Sequence, residues 1–199
     1  MAWVAWLTGL PGSGKSSVAR EAARRLDASG TRVRVLELDE IRRVVTPRPT
    51  YTAEEREILY RALAYMALLL YNEGINVIVD ATADRRRFRD LARALIPAFA
   101  EVYLHASLDR CRARAGDRRG GFAPRDVYGQ AGQGGSTVPG VDEMYEPPLQ
   151  PELVLDTEEL PVADVAERLV KFLEAFQVGQ APMSVDEIRE GKLAGEGGR

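Results

Sequence analysis

Residues 7–17 read LTGLPGSGKSS and have the residue types and spacing of a phosphate-binding loop. Gly9, Gly14, Lys15 and Ser16 fit the pattern G-x-x-x-x-G-K-[ST], between a predicted strand and a predicted helix. The glycines let backbone N–H groups turn toward phosphate oxygens, while the lysine reaches the β and γ phosphates and the serine can ligate Mg²⁺. The loop therefore predicts a site for Mg²⁺-ATP. Its predicted nucleotide contacts are Gly9, Pro11, Gly12, Ser13, Gly14, Lys15, Ser16 and Ser17.

A nucleotide site of this kind could serve a switch, a motor or a kinase. Guanine specificity usually comes with an Asn-Lys-x-Asp stretch, and neither Asn72 nor Asn76 is followed by lysine. A chain of 199 residues also lacks the bulk of a ring or motor ATPase. Transfer of the γ-phosphoryl group to a bound hydroxyl is therefore the expected reaction.

Such a transfer needs an acid near the acceptor and a metal that bridges the phosphates. Asp39 closes the second predicted strand and could orient or deprotonate the acceptor hydroxyl or hold a metal-bound water, unless it only caps the next helix. Asp80 closes the third strand, where an acid can act on the metal shell or simply form a turn. We expect Lys15 and Asp39 to be catalytic, and Ser16, Asp39 and Asp80 to serve the metal.

Cations must also cover the charge of the transferred group, and a cluster of arginines follows the fourth predicted strand. Residues 110–148 are rich in Gly, Arg and Pro, which favours a mobile lid over the nucleotide. We expect one or two of its arginines to reach the γ-phosphate. Arg110 and Arg114 are the candidates, among Arg110, Arg112, Arg114, Arg118 and Arg119.

Alternating apolar runs and helical patterns predict the elements that must position these residues. The predicted strands are residues 3–8, 31–39, 75–82, 101–107 and 152–157, and the main predicted helices are 17–30, 50–74 and 162–176. Strands that alternate with helices indicate an α/β fold of the P-loop kinase type. We expect a five-stranded parallel sheet in the order 2-3-1-4-5, with helices on both faces and a lid.

Helical spacing predicts which face of each helix turns inward. The first helix would bury Val18, Ala22 and Leu26. Thr52 and Glu55 form a capping box at the start of the long helix, whose predicted inward residues are Ile58, Ala62, Met66 and Leu69. The predicted inward residues of the last helix are Val162, Val165, Leu169 and Phe172.

Composition limits the class of protein. With 45% hydrophobic residues, the chain can form one core, so we expect a kinase domain at residues 1–178 and a flexible tail at 179–199. A formal charge of −3 gives no standing attraction to nucleic acid or to an anionic membrane. Cys111 is the single cysteine, which excludes an intrachain disulfide and suits a reducing cytoplasm. With no apolar run of about 18 residues, a soluble, cytoplasmic protein is expected.

Several stretches resemble the adenylylsulfate kinases, the family that phosphorylates the 3′-hydroxyl of adenosine 5′-phosphosulfate. They are GLPGSGKSS, LDEIRR, YTAEEREILYR, EVYLHASLDRCRAR and VPGVDEMYEPPLQPELVLDT, and the resemblance spans roughly residues 3–175. It implies ATP and Mg²⁺ as cofactors, adenosine 5′-phosphosulfate or a related acceptor as substrate, and a homodimer as a candidate assembly.

The resemblance also implies roles for residues of the acceptor site. Asp39 would be the acid near the 3′-hydroxyl, Arg42 and Arg56 would contact the anionic end of the acceptor, and Tyr51 would stack on its adenine. The remaining acceptor contacts implied in this way are Thr82, Arg85 and Val138.

The sequence departs from the family pattern in the acceptor half of the site. Leu59 stands where the family has asparagine, and residues 125–131 lack the lysines found in the family's lid. Val138 stands where the family has a phenylalanine whose ring completes the sandwich around the adenine. Loss of one stacking partner would cost about 1–3 kcal/mol of binding free energy.

These departures leave other functions to consider. A related enzyme could phosphorylate a different nucleotide derivative or a sugar hydroxyl. A nucleotide-binding sensor without transferase chemistry would need neither Asp39 nor the arginines of the lid. A polynucleotide 5′-kinase is disfavoured because the chain is acidic and has no basic stripe.

Overall fold

The computed structural model describes residues 2–117, 121–122, 127–129 and 138–176. Within them, strands and helices alternate along the chain. The strands are β1 (Val4–Thr8), β2 (Val33–Glu37), β3 (Asn76–Asp80), β4 (Phe99–His105) and β5 (Leu153–Asp156). The helices are α1 (Lys15–Ala28), α2 (Leu38–Val45), α3 (Ala53–Asn72), α4 (Arg86–Leu95), α5 (Leu108–Gly116) and α6 (Val162–Ala175).

Neighbouring strands all pair in parallel, in the order β2-β3-β1-β4-β5. The predicted α/β fold and strand order are therefore confirmed. Leu7 of β1 pairs with Asp80 of β3 on one side and with Val102 of β4 on the other. The phosphate loop consequently leaves the sheet beside Asp80.

Helices cover both faces of the sheet, and each face has its own apolar core. Trp6 of β1 packs on one face with Leu63 of α3 and Phe88 of α4. Leu7 packs on the opposite face with Leu26 of α1. Burial on both faces explains why the central strands are almost continuously apolar. No helix in the described part of the chain is long and apolar enough to span a membrane.

Thr52 caps α3 as the sequence predicts, but Glu55 accepts hydrogen bonds from Thr50 instead of completing the capping box. Thr52 Oγ1 accepts a hydrogen bond from the Glu55 N–H at 3.2 Å. The predicted inward face of α3 is wrong. Ile58 and Leu69 are 57% and 47% exposed, and α3 turns another face to the sheet. Because α3 is apolar around most of its circumference, spacing alone did not identify the buried side. The buried residues are Arg56, Leu59, Tyr60, Leu63, Ala64, Ala67 and Leu68.

The other two helix faces were predicted more accurately. In α1 the predicted residues Val18, Ala22 and Leu26 are buried. In α6, Val165 and Leu169 are buried and Phe172 is partly buried, as predicted. Val162 is exposed, contrary to the prediction, because it lies in the first turn at the edge of the cavity described below.

The end of β2 also differs from its prediction. The strand ends at Glu37, and α2 begins directly at Leu38. Asp39 therefore lies in the first turn of a helix instead of closing the strand. Glu37 occupies the strand end, where its carboxylate accepts two hydrogen bonds from Arg20, at 2.7 and 2.8 Å.

The segment predicted as a lid, residues 110–148, begins in regular structure. Its first residues belong to α5, which buries Cys111 and Ala115. Near its end, Tyr145 Oη lies 3.0 Å from Thr8 Oγ1 in β1. Residues 118–120, 123–126 and 130–137 lie outside the described residues, as does the predicted tail at 179–199. The lid and the tail stay predictions.

A buried arginine joins α4 to β4 and to residue 146. Arg89 is 1% exposed, and its Nε donates to Glu101 Oε1 at 2.5 Å. Its Nη2 donates to the Glu146 carbonyl at 2.6 Å, and its Nη1 donates to the carbonyl of Ala83. Arg93 adds a second cation 3.4 Å from Glu101 Oε2. The Arg89 guanidinium thus satisfies three acceptors from three segments, two of them in buried contacts.

Replacing Arg89 with methionine should strongly destabilise the fold. The substitution keeps an apolar stem but leaves the Glu101 carboxylate and two carbonyls without this donor, and breaking a buried ion pair costs about 3–5 kcal/mol. Urea denaturation would measure the loss. Arg87→Met on the same helix is the matched control, because the Arg87 side chain is 63% exposed. Equal stability of the two variants would contradict this account of Arg89.

Candidate active site

Three glycines give the phosphate loop its shape. Gly9, Gly12 and Gly14 have φ angles of 147°, 85° and 97°, which side chains rarely allow. A Cβ on Gly9 would lie 2.4 Å from the Leu104 carbonyl oxygen, and one on Gly12 would lie 2.3 Å from the Cys111 carbonyl oxygen. The loop therefore packs directly against the end of β4 and against α5.

Lys15 lies at the start of α1, and its side chain turns back over the loop. Its Nζ donates to the carbonyl oxygens of Gly9 and Leu10, at 2.8 and 2.9 Å. The positive end of the α1 dipole adds to the lysine charge, and this arrangement favours a bound phosphate. Thr157 Oγ1 donates to the Ser13 carbonyl at 2.9 Å and so connects the loop to the segment after β5.

Asp80 and Ser16 form the candidate metal site. The Ser16 hydroxyl and the Lys15 charge both act to lower the pKa of the Asp80 carboxyl. Burial nevertheless raises the pKa of Asp80, and the negative charges of Glu37 and Asp39 add to the rise. No group of three or more His, Cys, Asp or Glu side chains able to hold a metal occurs among the described residues. A hydroxyl and a carboxylate fit Mg²⁺, which takes oxygen ligands and keeps most of its shell from phosphates and water.

A cavity of about 510 Å³ extends from the phosphate loop across the carboxyl edge of the sheet. The loop side is lined by Pro11, Gly12, Gly14, Lys15, Ser16, Ser17 and Asp80. The opposite side is lined by Asp39, Arg42, Tyr51, Arg56, Tyr60, Thr82 and Asp84. Most of the predicted donor and acceptor residues thus face one space, and the exceptions are Gly9, Ser13, Arg85, Arg110 and Val138.

The two arginines predicted for the acceptor are each paired with a carboxylate. Arg42 Nη1 lies 2.6 Å from Glu55 Oε1, and its guanidinium lies 5.0 Å from the centre of the Tyr51 ring. Arg56 Nη1 lies 3.4 Å from Asp84 Oδ2, and both of these side chains are buried. These ion pairs hold both guanidinium groups in place on the cavity wall.

Hydrogen bonds to its backbone carbonyls hold the loop after β3 in place. Residues 81–84 each offer a carbonyl oxygen to a donor from outside the loop. The donors are Trp6 Nε1 to Ala81, Thr8 Oγ1 to Thr82, Arg89 Nη1 to Ala83 and the Glu146 N–H to Asp84. In addition, the Ala83 N–H donates to Tyr60 Oη at 2.9 Å. This network maintains the positive φ of 44° at Ala83, which an alanine would otherwise avoid.

Two residues predicted for the acceptor lie outside the cavity lining. Arg85 Nη2 donates to Glu143 Oε2 at 2.7 Å, and its Nη1 donates to Glu146 Oε1 at 3.4 Å. Val138 is 2% exposed and its carbonyl accepts the N–H groups that close a turn, while its neighbour Pro139 lines the cavity. Contacts of Arg85 and Val138 with an acceptor stay predictions.

The arginines of α5 differ in position. Arg114 lines the cavity, and its Nη2 donates to the Thr157 carbonyl at 2.6 Å. Arg110 is exposed, donates to the Glu158 carbonyl at 3.1 Å, and is not a lining residue. Of the two predicted candidates, Arg114 is therefore the better placed for the nucleotide. Arg118 and Arg119 lie outside the described residues.

Sequence reasoning missed several residues that line the cavity. Asp84 follows β3, at the sheet edge where parallel α/β folds bind ligands, and this position was the available signal. Tyr60 lies one turn after Arg56 on α3 and lines the same wall. Phe122 also lines the cavity and lies 5.1 Å from the Arg43 guanidinium, but nothing in its sequence context indicated this.

The glycine contacts predict a nucleotide-binding defect in Gly12→Ala. Left-handed backbone costs a residue other than glycine about 1–2 kcal/mol, and the added Cβ would also meet the Cys111 carbonyl. We expect the Kd for a fluorescent ATP analogue to rise roughly tenfold or more. Gly116→Ala is the control because no atom lies within 4 Å of its added Cβ. Unchanged affinity in Gly12→Ala would contradict the loop geometry.

The raised pKa of Asp80 predicts a pH-dependent gain of stability in Asp80→Asn. Burial disfavours the charged carboxylate in the folded state, so Asp80 reduces the free energy of unfolding at pH values above its raised pKa. That cost disappears as the pH falls toward the ordinary carboxyl pKa. In urea denaturation without nucleotide, Asp80→Asn should be more stable than the parent at about pH 8, and the difference should shrink at lower pH. Asp90→Asn, at an exposed site on α4, should show no such trend.

The chain is similar to a known family and to curated members of it. The sequence model of the adenylylsulphate kinase family matches residues 1–156. A probable adenylyl-sulfate kinase of Aeropyrum pernix is 36% identical over 160 residues, which are 78% of this chain and 83% of the relative. The adenylyl-sulfate kinase of Halothermothrix orenii is 34% identical over 170 residues, with coverage of 85% and 88%.

Solved structures agree with this relationship. The APS kinase of Mycobacterium tuberculosis, solved in complex with AMPPNP and APS, superposes with a TM-score of 0.75 at 30% identity, covering 87% of this chain and 98% of that one. A sugar kinase from a Janibacter species, with a TM-score of 0.63 at 22% identity, shows a shared fold only. The family match over residues 1–156, together with relatives above 30% identity along most of their length, shows that the chain belongs to the adenylylsulfate kinase family.

Proposed function

We propose that this chain transfers the γ-phosphoryl group of Mg²⁺-ATP to the 3′-hydroxyl of adenosine 5′-phosphosulfate. The observation that carries the proposal is one cavity in which the phosphate loop faces Asp39, Arg42 and Arg56. Family membership and the complex of the Mycobacterium tuberculosis relative with AMPPNP and APS support the identity of donor and acceptor.

The loop side of the cavity holds the donor. Backbone N–H groups between Gly9 and Ser16 would bind the phosphates, and Lys15 Nζ would exchange its loop carbonyls for phosphate oxygens. Ser16 and Asp80 would hold Mg²⁺, which when bound supplies positive charge to the phosphate oxygens. Arg114, at the cavity wall, would add a cation beside the transferred group.

Asp39 would act on the acceptor hydroxyl. Its place in the first turn of α2 puts a carboxylate on the cavity wall, and its charge reaches Asp80. The 3′-oxygen forms a bond to the γ-phosphorus, the bond from that phosphorus to the bridging oxygen of ADP breaks, and Asp39 accepts the hydroxyl proton. The proton then passes to solvent.

Arg42 and Arg56 would bind the anionic end of the acceptor. Each guanidinium is already oriented by a carboxylate, Glu55 for Arg42 and Asp84 for Arg56, so less side-chain entropy is lost on binding. Tyr51 lines the same wall, where its ring can stack on the adenine. The cytoplasmic location and the homodimer expected from the sequence stay predictions.

A coupled assay of ADP release would test the function. Wild-type protein with Mg²⁺-ATP is compared in the presence of adenosine 5′-phosphosulfate, of other nucleotides and sugars, and without acceptor. We expect turnover that depends on adenosine 5′-phosphosulfate, and we expect Asp39→Ala to lower kcat by about 10²-fold or more because the proton acceptor is lost. Glu40→Ala, at an exposed neighbouring position on α2, should leave kcat nearly unchanged.

Each other outcome would reject a stated part of the proposal. Turnover with a different hydroxyl compound alone would replace the acceptor while leaving the kinase chemistry in place. ATP binding without turnover of any acceptor would indicate a nucleotide sensor. Equal rates for Asp39→Ala and Glu40→Ala would remove Asp39 from the reaction.

A further inference from the structure

Asp84 is a buried carboxylate on the wall of the cavity, on the same side as the arginines proposed for the acceptor. Its side chain is 3% exposed, and it lines the cavity together with Tyr51 and Arg56. Burial raises the pKa of Asp84 even though Arg56 and Arg85 act in the opposite direction. A charged group in such a place is costly unless it is paired and hydrogen-bonded, and Arg56 supplies one such partner.

The position of this carboxylate is fixed by the backbone beneath it. The Asp84 carbonyl accepts the Glu146 N–H at 2.8 Å, and the preceding Ala83 is held by Tyr60 and Arg89. Because the loop backbone is restrained, the Asp84 carboxylate stays in place when a ligand binds. It can therefore discriminate against a ligand that has no hydrogen-bond donor at this position.

The contacts of the carboxylate with arginine side chains are long. Arg56 Nη1 lies 3.4 Å from Oδ2, and Arg85 Nε lies 3.9 Å from the same oxygen. Arg85 is in addition engaged by Glu143 and Glu146. An ionised carboxylate has about four acceptor positions, so these contacts leave capacity for a ligand.

A carboxylate beside Arg56 also weakens the attraction of that wall for an anion. If the wall bound only the anionic end of the substrate, the Asp84 carboxylate would lower its affinity for that substrate. A hydrogen bond from a neutral N–H or O–H group of the same substrate to this carboxylate would offset that loss. Arg56 and Asp84 thus present a positive charge and a hydrogen-bond-accepting oxygen side by side.

We infer that Asp84 is a specificity-determining residue, whose carboxylate accepts a hydrogen bond from a donor group of the acceptor. The donor is either an exocyclic amine of the base or a free sugar hydroxyl. The inference rests on the function proposed above. It adds a residue that binds the neutral part of the phosphoryl acceptor by a hydrogen bond.

Acceptor analogues combined with Asp84 variants would test this inference. The acceptors are adenosine 5′-phosphosulfate, its analogue without the 6-amino group and its 2′-deoxy analogue, each assayed for kcat/KM. Wild-type protein should discriminate against one analogue by roughly 10²-fold or more, since a site built around a hydrogen bond rejects a ligand that lacks it. The analogue that is rejected identifies the donor group.

Asp84→Ala should lose most of this discrimination, because the oxygen that accepts the hydrogen bond from the substrate is removed. Asp84→Asn keeps one oxygen and should retain part of it, while the KM for ATP should stay unchanged in both variants. Asp90→Ala, at an exposed site on α4, should discriminate as the wild type does. A thermal melt of each variant would show that it is folded.

The outcomes separate this inference from the proposed function. If wild-type protein neither phosphorylates adenosine 5′-phosphosulfate nor binds it in calorimetry with a nonhydrolysable ATP analogue, the proposed function fails and the inference fails with it. If the wild type is active but accepts all three compounds equally, only the inference is overturned. It is also overturned if folded Asp84→Ala discriminates as strongly as the wild type.

Discussion

The close approach of the phosphate loop to two backbone carbonyls is the constraint on which the site depends. At Gly9 and Gly12 the chain passes so near the carbonyls of Leu104 and Cys111 that there is no room for a side chain. The loop is therefore located by the end of β4 and by α5, as well as by the strand that precedes it. This contact sets the place of Lys15 at the start of α1, where we propose that it binds the phosphates, and of Ser16, which follows it on the same helix.

The opposite side of the cavity is organised by ion pairs. Arg42 with Glu55 and Arg56 with Asp84 place two cations on the wall while keeping its net charge low. Such a wall binds an anion less strongly than bare arginines would, but it holds the guanidinium groups in one orientation. In the proposed function, geometry and hydrogen bonding therefore contribute to the choice of acceptor in addition to charge.

The sequence predicted those parts of the structure that depend on local pattern. The phosphate loop and the strand order follow from short motifs and from the rules for parallel sheets, and the structure agrees with both. The inward face of α3 could not be predicted, because its apolar residues surround most of the helix and the buried side includes the charged Arg56. The sequence pattern extends the second strand to Asp39 because β2 runs into α2 without a turn residue. The role proposed for Asp84 depends on contacts between distant segments, which one sequence does not reveal.

The carbonyl network of residues 81–84 has a consequence for how this site can evolve. Its donors lie in β1, in α4 and at residue 146, so the backbone of the loop is maintained by residues outside it. The side chains of Thr82 and Asp84 make none of those carbonyl contacts and face the cavity. They can therefore be exchanged without rebuilding the backbone. The backbone of the loop stays in place while these side chains change. A kinase of this fold could therefore acquire a new phosphoryl acceptor through a few substitutions in the loop.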